Sequence, residues 1–369
     1  MKNNKRTIIT LGIILSLFFI YSIVSIYSFS GFILDNKEEL VIKQVIFYLL
    51  GIISIIIIYK IGIDKILKYS LFIYIFNIIL LILVLIFGSN INGSRAWFTI
   101  PFLGSFQPSE FAKIGIILLS AKVISDTKIK DLKDEFKLIL KIFIIILIPS
   151  ILTFLEPDTG GVIMYFVAGI LMLFISNIRM RWFILAMFIL FLVGGIFLYI
   201  FYYKDDLFIK IFGSSMFYRL DRLFDWSKSS GMQLENSIIS IGASGIFGHG
   251  SSSILLYYPE GHTDFIFTSF VSCFGFLGAC ILIITIVVFD LKCINIACNS
   301  KDVHKLVIMG FLGIFMYQQI QNIAMTLGLL PITGITLPFI SYGGSSLLSS
   351  MIGVGLIIST LKDEKRLKY

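Results

Sequence analysis

The chain has 369 residues and a mean hydropathy of +0.97; 57% of its residues are hydrophobic and only 14% are charged. No soluble domain of this length needs so much apolar surface, which excludes the soluble globular classes. The net charge of +8 arises from basic residues spread over several short segments, so we expect no nucleic-acid partner.

Apolar runs of 18 or more residues recur from one end of the chain to the other. This pattern predicts an all-α, polytopic integral membrane protein with about ten transmembrane helices in a single membrane domain, residues 1–369. The predicted spans lie near 7–30, 41–60, 66–88, 108–124, 138–155, 159–176, 181–203, 265–290, 303–328 and 337–361.

The distribution of basic residues predicts that both termini are cytoplasmic. With that orientation, 21 of the 30 Lys and Arg residues lie in inner segments and nine lie elsewhere. Lys and Arg are enriched in the cytoplasmic segments of membrane proteins, so this bias sets the orientation.

The one long connection, residues 204–264, then lies on the outer face. Its composition shifts to Lys, Asp, Ser, Gly and Tyr, and a long loop on a compact scaffold usually carries function. Within it, 207–225 mixes aromatic and basic residues and is typical of a segment in the membrane interface. Residues 237–250 are small and apolar with four glycines, which predicts a segment that dips back towards the membrane.

The first motif has two parts near the start of the fourth span, Asn92–Trp97 and Gln107–Lys113. Glu110 and Lys113 are three apart, so they share a helix face and can form an internal ion pair. An ionisable pair at membrane depth is costly and is also a functional hypothesis, because Arg95 and Lys113 are cations that can hold a pyrophosphate. The residues alone leave both interpretations open.

A second motif, Glu156–Gly161, lies in the short outer turn between the fifth and sixth predicted spans. Asp158 suits the N-cap of the sixth span, and a Pro-Asp turn needs no further role.

A third motif, Pro259–Phe267, lies where the long loop enters the eighth span. A carboxylate at the mouth of a low-dielectric cavity, such as Asp264, can have a raised pKa and act as a general base. The alternative is that Thr263 or Asp264 only caps the helix. His262 can position the site or simply pack against the loop.

The last motif, Gly328–Ser346, joins two apolar segments but contains Pro331, Pro338 and the pair Gly343-Gly344. Prolines stop helices, and backbone that is neither helical nor polar must lie inside protein or line a cavity.

In this order the four motifs resemble those of the SEDS family (RodA, FtsW and SpoVE), which polymerises peptidoglycan from a lipid-linked precursor. The resemblance covers residues 10 to 361, and the spacing between the two parts of the first motif is closer to RodA than to FtsW. It implies the SEDS-type membrane fold and a peptidoglycan glycosyltransferase of the bacterial cytoplasmic membrane, in cell-shape, division or sporulation wall synthesis. It also implies that Asp264 is catalytic. The residues carried over for substrate binding are Arg95, Glu110, Lys113, Asp158 and His262.

The same resemblance implies lipid II as substrate, with its undecaprenyl chain in a groove between helices open to membrane lipid. It implies a class B penicillin-binding protein as the transpeptidase partner. The resemblance does not establish a cofactor. A divalent cation such as Mg²⁺ or Mn²⁺ fits the chemistry by analogy, but the sequence does not show which residues would bind it.

Two alternatives stay open: a lipid II flippase, and a non-catalytic scaffold for cell-wall enzymes. One difference from the family pattern favours the scaffold. Most family members have Glu-Glu-Leu-Gly at the position where this chain has Ser272-Cys273-Phe274-Gly275, so both carboxylates are missing.

Overall fold

A computed structural model describes residues 2–29, 37–91, 94–100, 104–214, 217, 231–250 and 256–363. Within these ranges the chain folds into thirteen α-helices and one small antiparallel sheet, so the predicted all-α membrane fold is confirmed. The elements in chain order are α1 (Lys2–Phe29), α2 (Lys37–Ile61), α3 (Ile63–Lys68), α4 (Ser70–Phe87), β1 (Ser89–Ile91), β2 (Ser94–Ile100), β3 (Gly104–Phe106), α5 (Pro108–Asp126), α6 (Leu132–Leu155), α7 (Thr159–Ile175), α8 (Arg181–Tyr203), α9 (Asp205–Phe212), α10 (Gly231–Ala243), α11 (Ile266–Cys298), α12 (Asp302–Thr326) and α13 (Gly344–Asp363).

Each of the ten predicted spans falls on one of these helices. Eight of the described helices are long and apolar enough to cross a membrane: α1, α2, α4, α6, α8, α11, α12 and α13. The helix α7 is apolar but has 17 residues, and α5 carries Glu110 and Lys113 within its first two turns.

Three span boundaries differ from the prediction. The chain breaks at Tyr69, so the third span begins at Ser70 rather than near residue 66. The tenth helix begins at Gly344, not at 337, because the chain around Pro338 is not helical. The eighth continues to Cys298 and is broken at Gly275.

The sheet was not predicted. Its strand order is β1-β2-β3, and all pairs are antiparallel. The sheet places Arg95 and Trp97 on the middle strand, directly before α5. Asn92 and Gly93 of the first motif lie outside the described residues.

Helices α5, α12 and α13 form the interior of the bundle, whereas α8 exposes nearly its whole length. The helix α5 packs against α4, α7 and α12, and α13 packs along α2. Because α5 is enclosed by other helices, its charged side chains can be shielded from lipid.

The structure describes the predicted outer loop in part. Residues 205–212 form α9, whose Phe208 packs edge-on against Phe201 of α8 at 5.4 Å. Most of the predicted interfacial segment after residue 212 lies outside the described residues.

Residues 244–250, the second half of the segment predicted to dip towards the membrane, pack against α11. The N–H groups of His249 and Gly250 donate to the carbonyls of Ser272 and Cys273, at 2.9 and 3.1 Å. In turn the N–H groups beyond the break in α11 donate back to the loop. These bonds run from Phe276 to Gly245 (3.0 Å) and from Leu277 to Ile246 (3.1 Å).

Candidate active site

The backbone around Asp264 is held from the C-terminal part of the chain. The three successive carbonyls of His262, Thr263 and Asp264 each accept a hydrogen bond from a donor in α12 or in the connection before α13. In the same order the donors are the Tyr342 N–H (2.9 Å), the Ser341 hydroxyl (2.7 Å) and the Asn322 amide (2.8 Å). Residues 337–341 of the Gly328–Ser346 motif are non-helical and buried, so this part packs inside the protein, as its proline and apolar residues predict. Leu329 and Gly334 of the same motif are exposed.

The Asp264 side chain is half-buried and has no hydrogen-bond or ion-pair partner among the described residues. Burial, and then the nearby negative charge of Glu260, raise the pKa of Asp264 from its usual value to about 7. A general base works best with a pKa near the operating pH, so this carboxylate suits proton abstraction.

Helix capping does not account for Asp264. The N-cap of α11 is Phe265, which makes no side-chain cap bond. The Thr263 hydroxyl is instead bonded to the Glu260 carboxylate at 2.7 Å, within the turn that precedes the helix.

Asp158 caps α7, as the sequence predicts. Its carboxylate accepts from the Gly161 N–H at 2.7 Å and from the side chains of Ser109 and Gln107 at 3.2 and 3.3 Å. Burial raises the pKa of Asp158, while the bond from Gly161 opposes that rise. Asp158 thus ties the start of α7 to the start of α5.

The segment Thr333–Ile335 lies between Asp158 and Asp264. A Cβ placed on Gly160 would come within 2.9 Å of the Ile335 side chain, and one on Gly334 would lie 3.4 Å from Asp264 Oδ2. The motifs around Asp158 and Asp264, about a hundred residues apart in the chain, therefore flank one three-residue segment.

Lys113 and Glu110 form a buried ion pair, with Nζ and Oε2 2.5 Å apart, and the Ser349 hydroxyl donates to the same carboxylate at 2.9 Å. The cavity beside the pair is about 10 Å³, which is space for about one water. The ion pair that the spacing allows is therefore present, and Lys113 is not open to a large anion in this conformation.

Arg95, in contrast, is exposed on β2 and forms no ion pair with any described residue. No described residue therefore occupies its guanidinium, which can bind an anion with two parallel hydrogen bonds.

His262 stacks on Phe29, with ring centroids 5.9 Å apart, and also contacts the tilted ring of Tyr342 at 5.6 Å. Burial lowers the pKa of His262, so the ring is neutral at pH 7. Its Nδ1 is buried and has no partner among the described residues, which leaves one polar atom available at the site.

Glu156 is a further buried carboxyl group, fully enclosed and with neither oxygen hydrogen-bonded to a described residue. Burial, and then the charge of Asp158, raise its pKa to about 9, so Glu156 is protonated at neutral pH. In the sequence Glu156 is only the first residue of a Pro-Asp turn, and nothing in that pattern predicts its burial.

Asn322 and Ser341 were also missed. A signal for Asn322 was present, because amide side chains at 318, 319, 321 and 322 interrupt an apolar span, and buried polar groups within a membrane mark functional sites. Ser341 lies in the Gly328–Ser346 motif, but nothing in the spacing of that motif indicates that it contacts Thr263.

The fold and this buried polar centre define a polytopic membrane protein whose candidate site lies where the long loop enters a span. The chain belongs to the FtsW/RodA/SpoVE family of cell cycle proteins, whose sequence profile matches residues 4–366.

Two relatives illustrate the similarity. The chain is 33% identical to a probable peptidoglycan glycosyltransferase FtsW of Aliivibrio salmonicida, over 85% of this chain and 77% of that protein. It is also 33% identical to the peptidoglycan glycosyltransferase MrdB of Helicobacter pylori, over 89% of this chain and 85% of that protein.

Solved structures share the fold. One belongs to a peptidoglycan synthase complex that coordinates polymerization and crosslinking, with a TM-score of 0.78 at 24% identity, covering 97% of both chains. The rod shape determining protein RodA of Thermus thermophilus has a TM-score of 0.68 at 23% identity, covering 97% of this chain and 96% of that one.

Proposed function

We propose that this chain is a peptidoglycan glycosyltransferase that polymerises lipid II into glycan strands on the outer face of the cytoplasmic membrane. The observation that carries the proposal is Asp264: a half-buried carboxylate without a partner among the described residues, with its pKa raised to about 7. The carbonyls of residues 262–264 each accept one hydrogen bond from the C-terminal part of the chain, which holds the backbone around this carboxylate. Curated relatives that share a third of the sequence are peptidoglycan glycosyltransferases, which supports the same reaction.

In the proposed reaction the 4-hydroxyl of an acceptor sugar attacks the anomeric carbon of the donor. A new glycosidic C–O bond forms, and the bond from the anomeric carbon to the pyrophosphate oxygen breaks. Asp264 takes the hydroxyl proton, and undecaprenyl pyrophosphate leaves with the electron pair. A placed base and stabilisation of charge on the leaving group are what this reaction needs.

Arg95 is the cation that we assign to the pyrophosphate, because it is exposed and unpaired among the described residues. Lys113 would join it only after its pair with Glu110 opens. Asp158 accepts a hydrogen bond from Ser109 and would in this way hold the start of α5, the helix that carries the Lys113–Glu110 pair. His262, neutral and flanked by two rings, would orient the acceptor sugar.

An apolar groove of about 440 Å³ lies between α1, α2 and α13 and can hold part of a polyprenyl chain. Phe19, Tyr48, Ile52 and Met351 are among its lining residues. In a membrane such a groove is otherwise filled by lipid tails, which are as apolar as a polyprenyl chain. Exchanging one for the other adds little binding free energy, so the groove supports positioning of the chain more than affinity for it.

A divalent cation has no site that we can assign. Among the described residues, no three His, Cys, Asp or Glu side chains cluster as metal ligands do, and the Glu260 carboxylate accepts a bond from Thr263.

The proposed partner is a class B penicillin-binding protein, which would supply the transpeptidase. The similarity to a chain from a complex that coordinates polymerization with crosslinking supports this pairing. The proposed orientation, with both termini in the cytoplasm, rests on the 21-to-nine distribution of Lys and Arg.

The test is polymerisation of lipid II by the purified protein, with and without a candidate partner. We expect Asp264→Asn to lower the rate by about 10²–10⁴-fold, because the amide cannot accept the proton. Asp205→Asn, an exposed carboxylate on α9, is the control and should keep normal activity. If Asp264→Asn polymerises normally, the assignment fails; lipid II transport into vesicles by that variant would then favour the flippase.

A further inference from the structure

Asn322 uses both hydrogens of its amide group on two different parts of the candidate site. Its Nδ2 donates to the carbonyl of Asp264 and to the carbonyl of Ile335, each at 2.8 Å. The side chain is 0% exposed, so water does not compete for either bond. One side chain from α12 thus joins the Asp264 backbone to the segment that faces the Asp264 carboxylate.

The orientation of this amide follows from its partners. Both neighbours are carbonyl oxygens, so the reversed amide would place the Asn322 oxygen against two acceptors. In the orientation observed, Oδ1 is buried and has no partner among the described residues. An unsatisfied buried acceptor is unfavourable for folding. This orientation leaves Oδ1 unsatisfied but lets the Asn322 amide make both of its donor bonds.

The second acceptor explains why the bond to Asp264 matters. Ile335 follows Gly334, whose backbone lies next to Asp264 Oδ2, and Ile335 itself packs against Gly160 beside Asp158. Because the Asp264 and Ile335 carbonyls are bonded to one rigid amide group, the distance between the Asp264 carboxylate and the segment Thr333–Ile335 is fixed. Ser341 holds Thr263 but makes no bond to Ile335.

We propose that Asn322 is a positioning residue for glycosyl transfer, which sets the direction of the Asp264 carboxylate through a double amide-to-carbonyl bridge. This inference rests on the proposed function, because it concerns the placement of the proposed base. A displacement of about 1 Å at a reacting group can lower a rate by about 10²-fold, so loss of the bridge should act on turnover more than on substrate binding.

The chain offers a matched control in the adjacent residue. Gln321 is also buried on α12, and its Nε2 donates to the Pro331 carbonyl at 2.9 Å, in the same C-terminal connection. Replacing Gln321 removes a comparable bond between the same two elements, but it leaves Asp264 and Ile335 untouched.

The experiment compares Asn322→Ser and Gln321→Ser in lipid II polymerisation across pH, together with thermal stability. The serine hydroxyl is too short to reach both carbonyls. We expect Asn322→Ser to lower kcat by about 10–100-fold with KM within about twofold. The acid limb of its pH–rate profile, where the rate falls as pH drops, should also move to lower pH. The reason is that a displaced Asp264 becomes more hydrated, so its pKa falls towards the usual value. Gln321→Ser should keep the acid limb of the unmodified protein.

If Asn322→Ser does not accumulate, Asn322→Asp replaces it, since that side chain has the same size and in its protonated form donates only one bond. Normal kcat in the Asn322 variant overturns the proposal. So does a rate loss with an unshifted acid limb, which would match a purely structural role.

Asp264→Asn is measured in the same series, so that the two proposals fail separately. If Asp264→Asn is inactive and Asn322→Ser behaves normally, only the positioning role fails. If Asp264→Asn is fully active, the base assignment fails and the positioning role fails with it.

Discussion

Gly248 and Gly275 pack backbone against backbone. A Cβ on Gly275 would lie 2.3 Å from the Gly248 nitrogen, and a Cβ on Gly248 would lie 2.3 Å from the Cys273 carbonyl oxygen. Both glycines have positive φ angles, +75° and +65°, which other residues rarely adopt. The break in α11 and the loop that fills it therefore depend on glycine at both positions.

We expect Gly248→Ala and Gly275→Ala each to destabilise the protein by about 1–3 kcal/mol or more, since strain and a backbone clash add. Gly242→Ala is the control: no described atom lies within 4 Å of its added Cβ, and it lies inside α10. That change should be neutral or stabilise by about 0.5–1 kcal/mol. Thermal unfolding in detergent measures all three, and equal stability of Gly275→Ala and Gly242→Ala would contradict the packing described.

The helix break shows where prediction from the sequence stops. Lipid demands about 20 apolar residues per span, so hydropathy alone located the helices. Gly275 looks like any glycine within a span, because its conformation depends on Gly248, 27 positions earlier. The sheet at 89–106 escaped prediction for a related reason: its strands are three and seven residues long and show no clear alternation.

The candidate site was predictable residue by residue but not as an arrangement. Motif resemblance pointed to Asp264 and Asp158, and capping chemistry pointed to Asp158 independently. Neither could show that Lys113 is enclosed with Glu110, since enclosure depends on how α12 and α13 pack around α5. The role of Asn322 depends likewise on a tertiary contact with residue 264.

Replacing Glu156 by Gln should stabilise the protein at neutral pH. Burial raises the folded-state pKa of Glu156 to about 9, so folding at pH 7 requires uptake of a proton. Below the pKa of Glu156 in the unfolded chain, the group is protonated in both states and folding has no cost from proton uptake. As pH rises from there towards 9, the unfolded chain loses this proton and the folded protein loses stability relative to it. The penalty at pH 7 is on the order of 3 kcal/mol, which Glu156→Gln removes.

The measurement is the melting temperature of Glu156→Gln against pH. Its advantage over the unmodified protein should grow between about pH 5 and 9. Glu38→Gln, an exposed carboxylate at the start of α2, should show no such growth. A constant difference across this range would mean that Glu156 is ionised in the folded protein.

The rate of polymerisation should fall as pH drops below about 7, because Asp264 must be ionised to accept a proton. Glu260 raises the pKa of Asp264 through its negative charge, so Glu260→Gln should move the acid limb to lower pH. Glu235→Gln, an exposed carboxylate on α10, should leave it in place. An acid limb that Glu260→Gln does not shift would show that another group controls it.

The orientation of the chain can be tested with single cysteines at two exposed positions, in a background in which the four native cysteines are replaced. We expect Asp205→Cys on α9 to react with an impermeant thiol reagent in intact cells, because the long loop is predicted to lie outside. Asn299→Cys, at the end of α11, should react only after the cells are opened. The opposite labelling would place Asp264 on the wrong side for wall synthesis.

The last prediction concerns the pair of Lys113 and Glu110, which are 4% and 8% exposed. Lys113→Met alone strands a buried carboxylate and should cost about 3–5 kcal/mol. The double change with Glu110→Gln removes both charges, so most of that stability should return.

Stability and activity should then separate. If Lys113 reaches the pyrophosphate when its pair opens, the double variant stays inactive although it is folded. Arg95→Ala, which removes an exposed cation without a partner among the described residues, should weaken lipid II binding with little change in melting temperature. Melting temperature, lipid II affinity and polymerisation are measured for each variant. Recovery of activity in the double variant would make the pair a structural element of α5 and leave Arg95 as the cation assigned to the leaving group.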